Sequence, residues 1–139
     1  MNKPPRSASD ETSGMRYFPR MLDKIRLHAK GELHPDFHEN LGKGMDTRCC
    51  GFLRVDYDTL KKWVLQGGTD EEALEWCYTN GRRLNEMDLF VWNGFASKIG
   101  WNDFASNRLK QLKAESGLSH RDDIQTMGDY FEVDEGRKA

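Results

Sequence analysis

His34, Asp36 and His38 are the residues of this chain whose types and spacing come nearest to a chemical site. Two imidazoles four apart share one face of a helix, and all three groups share one face of an extended segment. Either geometry can turn them toward a divalent metal or toward acid–base work. Glu32, Glu39 or His28 can complete such a shell. Against this, the spacing is not the H-E-x-x-H of zinc hydrolases, and Pro35 pushes His34 away from regular helix, so plain polar loop residues are the competing description. A divalent metal is the one cofactor these residues suggest; no other is expected.

The run Asp46-Thr47-Arg48-Cys49-Cys50-Gly51 is the second candidate. A thiol beside an arginine and near the start of a helix can have a lowered pKa and act as a nucleophile, which singles out Cys49. The bland alternative is a pair of small thiols filling a turn, the commoner fate of free cysteine. Arg20 and Asp23, three apart on a helix, can pair with each other or face a ligand, and Arg48 or Arg20 can hold an anionic group. Trp101-Asn102 and Trp92-Asn93 each set a flat ring beside an amide. Arg20, Asp23, Asp46, Arg48 and Trp101 are therefore the candidate ligand-binding residues. Trp63 and Trp76 fall near the edge of their apolar stripes, where a ring either finishes the core or meets a partner.

Helices must position these groups. A first helix is expected from Pro19 to Lys30, stopped by Gly31, with Phe18, Met21, Leu22, Ile25 and Ala29 inward and Arg20, Asp23, Lys24 and Arg26 mainly outward. Residues 32–51 read as an irregular connection with a short helix near Phe37 to Leu41. Asp56 caps a helix over 57–66, and Thr69 with Glu72 forms a capping box for its antiparallel partner, which stops at Asn80-Gly81. Asn85 opens the next helix, Glu86 to Ile99. Its apolar residues point in nearly every direction, so it is expected at the centre with the other elements covering it. Asn102 is expected to cap a fifth helix over 103–116, and Ser119 a last one reaching Phe131. No run alternates as a strand would.

Composition bounds the rest. The chain has 139 residues, enough for one domain, with 21 basic against 23 acidic residues and a net charge of −2. That balance gives no reason to expect nucleic acid or a membrane surface as partner. There is no apolar run of membrane-spanning length and no secretory leader pattern, so a cytoplasmic location is expected. Three cysteines, two of them adjacent, suit reduced thiols. Residues 1–14 read as a flexible arm, 15–133 as the helical domain and 134–139 as a frayed tail.

Four stretches in order resemble the uncharacterised bacterial family called domain of unknown function 5069. They are F-P-R-M-L-D-K-I-R (Phe18 to Arg26), G-F-L-R-V-D-Y-D-T-L (Gly51 to Leu60), W-N-G-F-A-S-K-I-G-W-N-D-F-A-S (Trp92 to Ser106) and F-E-V-D-E-G-R (Phe131 to Arg137). The chain departs from the family pattern at Arg54, where glycine is usual, and at Ile99, where a basic residue is. The resemblance implies a small helical fold and no particular activity.

The reading is an all-α domain of about six helices around a central apolar helix. Its expected role is a non-catalytic module that binds a protein partner or small molecule through the loop 32–51 and the adjoining face of the first helix. The enzyme alternative is a small hydrolase or lyase using His34, Asp36 and His38. A third reading, a homodimer, would show itself as a large exposed apolar patch.

Overall fold

Helix α1, Phe18–Ala29, is the element around which the other helices gather in the computed structural model, which describes all 139 residues. Phe18, Met21, Leu22 and Ile25 are buried along it as their spacing predicts, but so are Arg20 and Lys24, which were expected to face outward. A helix covered on both its apolar and its charged stripe has to be central. The long stems of Arg20 and Lys24 pack as hydrocarbon, while their heads reach carboxylates supplied by distant parts of the chain.

Around α1 stand α2 (Met45–Leu53), α3 (Tyr57–Val64), α4 (Asp70–Asn80), α5 (Glu86–Lys98), α6 (Ser106–Glu115) and α7 (Met127–Asp134). A 3-10 helix, Pro35–Asn40, precedes α2. Seven α-helices and one 3-10 helix make this an all-α fold. The only strands are the two-residue pair β1 (Glu11–Thr12) and β2 (Met15–Arg16), antiparallel, with Thr12 opposite Met15.

The local signals for α3, α4 and α5 act as expected. The Asp56 carboxylate accepts from Thr59 N, and both Thr69/Glu72 and Asn85/Asp88 form reciprocal capping boxes. Trp63 and Trp76 stack on each other, ring centroids 6.0 Å apart, across the α3–α4 hairpin. Three boundaries are corrected. Helix α2 occupies the second half of the connection expected to be irregular. Helix α6 begins at Ser106 because Asn102 is left-handed (φ 46) and Asp103 instead closes the turn, accepting from Gly100 N and Ala105 N. The last helix starts at Met127 under a Thr126 cap, not near Ser119.

Arg54 ends α2 in the left-handed region, φ 60 and ψ 45. This is the conformation glycine adopts without steric cost, so Arg54 holds it at some strain.

The larger correction concerns α5. It lies at the surface: of its residues only Trp92 is buried, while Met87, Phe90 and Val91 are 65%, 75% and 55% exposed. Its inner side is fastened to the β1–β2 hairpin. Trp92 Nε1 donates to Arg16 O (2.8 Å), Arg16 N to Asn93 Oδ1 (3.0 Å), and Asn93 Nδ2 to Gly14 O (2.7 Å). The amide of Asn93 is thus committed to the hairpin. All-round apolarity signalled two surfaces, and the chain itself covers one.

Both ends of the chain make contacts with the fold. In the segment expected to be a flexible arm, Lys3 bridges Leu33 in parallel fashion, Pro5 is fully buried, and Thr12 is buried. Arg6 N donates to Asp23 Oδ2 at 2.9 Å. Ser7 Oγ donates to Glu132 at 2.6 Å, and Arg137 donates to Pro5 O at 3.1 Å. The tail expected to be frayed supplies Glu135, whose side chain is 1% exposed. Hydrogen bonds made by otherwise apolar-poor segments offset their ordering entropy, a term that composition does not reveal.

Two apolar clusters result. The main one joins α1, α2, α3, α4 and Trp92, and a small one collects Leu109, Ile124 and Tyr130 between α6 and α7. Between them runs a groove.

Candidate functional site

The groove has a volume of about 980 Å³ and is walled by the N-terminal arm, the 3-10 helix, the start of α2, the end of α5, and helices α6 and α7. Tyr17, Arg20 and Lys24 contribute to its floor. Its rings come from Tyr17, Phe37, Phe104, Tyr130 and Phe131.

Beneath the floor lies a buried polar cluster built on Asp46, which is fully buried in the first turn of α2. The Tyr17 hydroxyl donates to Asp46 Oδ1 at 2.6 Å, Lys24 Nζ stands 2.8 Å from the same oxygen, and Gly42 N donates to Oδ2 at 3.0 Å. Lys24 also donates to the Tyr17 hydroxyl at 3.1 Å. Tyr17 reaches this position from a left-handed backbone, φ 76, immediately before α1. Burial lowers the pKa of Lys24, with Asp46 opposing the shift. Burial, reinforced by the Asp46 charge, raises that of Tyr17 well above its ordinary value. The carboxylate is fully engaged by donors, so the triangle fixes α1 against α2.

A second buried pair closes the opposite end of the floor. Arg20 donates from Nη1 and Nη2 to both carboxylate oxygens of Glu135, at 2.8 and 2.7 Å, and from Nη1 to Arg6 O. Its guanidinium lies 4.4 Å from the ring centroid of Phe131 and 5.8 Å from that of Phe37. A planar cation between aromatic faces and a fork-on-fork carboxylate is a rigid arrangement. Arg20 does not pair with Asp23, whose carboxylate is taken by Arg6 N.

The histidine group does not converge. His34 Nδ1 accepts from Asp36 N (3.1 Å) and stands 3.7 Å from Asp36 Oδ2, both residues on the groove wall. His38 turns away, its Nε2 donating to Leu33 O at 3.0 Å while its ring meets His28 edge-on at 4.8 Å. The proline that starts the 3-10 helix is the cause: i and i+4 no longer share a face in the tighter helix. No three His, Cys, Asp or Glu side chains are grouped as a metal site would need.

Cys49 is fully buried in the main cluster, and burial raises its thiol well above the usual value. Cys50 and Cys77 are pushed up to about 12 by the same cause. The neighbour Arg48 points away from them, over the ring of Phe104 at 4.7 Å. Burial of this kind suits small core hydrophobes and disfavours the thiolate a nucleophile needs. Trp101 is half exposed beneath Lys98 and does not line the groove.

Of the sequence candidates, then, Arg20, Arg48, His34 and Asp36 meet in one groove, with Asp46 under its floor. Asp23, His38, Cys49 and Trp101 do not. Lys24, Tyr17, Arg108 and Glu135 are groove residues that sequence reasoning missed. For Lys24 the signal was present, since it lies four residues after Arg20, on the same side of α1.

An all-α domain with two clusters and a charged, ring-lined groove between them is the class of protein defined here. Over residues 2–137 the chain matches the model of the domain of unknown function family DUF5069, and it belongs to that family. No curated protein matches it. No helix is long and apolar enough to cross a membrane.

Proposed function

We propose that the chain is a non-catalytic binding module whose groove takes a small organic anion with an apolar or aromatic body. The observation that carries this is a set of groove cations without ion-pair partners. Arg6, Arg20, Arg26, Arg82, Arg83, Arg121 and Arg137 all have carboxylate partners. Lys43, Arg48 and Arg108 line the groove and have none within ion-pair distance. Phe104, 63% exposed and with Arg48 over its ring, sets an aromatic surface beside those charges. A concavity in which rings and a few charges stand side by side suits an anion with an aromatic body.

Anilinonaphthalene sulfonate, an anion with an aromatic body, is a suitable probe. Saturable micromolar fluorescence enhancement is expected. It should weaken by about tenfold or more in Arg48→Gln/Arg108→Gln, since each lost charge-assisted contact is worth on the order of 1.5 kcal/mol. Phe90→Ser, on the opposite side of α5, should leave it unchanged. Absence of saturable binding, or binding indifferent to the arginine pair, would refute the reading.

A further inference from the structure

The outer face of α5 is an apolar stripe that nothing in the chain covers. Met87, Phe90, Val91 and Gly94 are exposed in sequence along it, followed by Ser97 and Lys98. A continuous stripe at three- and four-residue spacing on a surface helix is the form of a helix-pairing face.

Three observations identify the occupant. Beside the stripe is a hollow of about 470 Å³, lined by Phe90, Gly94 and Phe95 of α5 and by Glu11 and Arg16 of the hairpin. Gly94 lines that hollow and faces open space, and having no side chain it lets a partner approach the helix backbone there. Arg16 Nε is buried and has no hydrogen-bond partner, so this side of the single chain is incompletely satisfied. Finally, the two ends of α5 carry opposite charges: Glu86, which has no ion-pair partner, and Lys98, half exposed and 3.9 Å from Asp103.

We infer that α5 pairs with α5 of a second copy of this chain, antiparallel about a two-fold axis. Such an interface is isologous, so one surface must supply both knob and hole. In an antiparallel pair, the register that sets Phe90 against the partner subunit's Gly94 also sets Glu86 against the partner subunit's Lys98. Both matches occur twice by symmetry. One register thus satisfies shape and charge together, which a stripe facing solvent has no reason to do. Antiparallel helices also oppose their dipoles favourably. Arg48 and Arg108 take no part, so this inference stands or falls separately from the groove.

The test is sedimentation equilibrium of the full chain from about 1 to 200 µM, the range in which weak self-association is read. The expected mass is twice 16.1 kDa. Phe90→Glu should weaken association by about 100-fold or more, as loss of a central aromatic anchor does. Gly94→Leu projects into open space in the single chain, so it should keep the helix content and still abolish pairing by blocking that approach. Glu86→Lys should weaken the dimer, and the exchange Glu86→Lys/Lys98→Glu should restore it. A single-chain mass throughout would overturn the inference. So would a dimer indifferent to Phe90→Glu and Gly94→Leu, or a charge exchange that fails to restore association.

Discussion

Replacing Asp46 with asparagine tests the buried cluster most directly. The substitution keeps the shape and a carbonyl acceptor but removes the charge that faces Lys24 Nζ at 2.8 Å. Lys24 is only 6% exposed at its side chain, so its ammonium is left without compensation in a poorly solvated place. Breaking one half of a buried pair costs roughly 3–5 kcal/mol, against a total stability of about 5–15 kcal/mol for a domain of this size. The cost carries a pH signature. Burial already lowers the Lys24 pKa from 10.5, and Asp46 is what resists the shift. Without Asp46 the folded-state value falls further. Between that value and 10.5 the unfolded chain binds more protons than the folded one, so the stability of the variant rises with pH. The Tyr17 phenol sets the upper limit: its folded pKa is raised above 10.0, so above that pH the unfolded chain ionises first and stability falls. Urea denaturation at pH 7 and at about pH 9.5 brackets the window. The deficit should be several kcal/mol at the lower pH and distinctly smaller at the higher. Asp46→Asn/Lys24→Met, which removes both charges, should return to within about 1.5 kcal/mol of the wild type. A single variant losing less than about 1 kcal/mol, or a double variant no better than the single, would refute the reasoning.

Two further predictions follow from burial. Glu135→Gln strands the Arg20 guanidinium beneath the groove and should cost about 3 kcal/mol in urea denaturation, largely recovered in Glu135→Gln/Arg20→Met. Cys49, Cys50 and Cys77 should resist iodoacetamide at pH 8 in the folded protein and react together once denaturant opens the core; rapid labelling of one thiol under native conditions would contradict its burial.

Helices were legible where the signal was local. The Thr69/Glu72 and Asn85/Asp88 boxes, the Asp56 cap and the apolar periodicity of α1 are all written within a turn or two of chain. What escaped reading was set by partners far away in sequence. Lys24 and Arg20 looked like a solvated face because Asp46 lies 22 residues on and Glu135 lies 115 residues on. The N-terminal arm looked disordered because its partners, Leu33 and Glu132, belong to other elements. The histidines failed to converge because a 3-10 helix replaced the geometry on which their spacing depends. Helix α5 misled for another reason: an apolar face unsatisfied by its own chain is identical, in one dimension, to a face satisfied by it.

The clasp between Arg20 and Glu135 bears on how the chain is made. Helix α1 is synthesised with its guanidinium destined for burial, and the carboxylate that neutralises it follows only 115 residues later. Until then the floor of the groove holds an unmatched charge, which disfavours closing α1 under the arm and α7. The first four helices are therefore free to collapse on their own core during synthesis, while the groove takes shape only once α7 and Glu135 follow. Translation order thus separates the making of the scaffold from the making of the site.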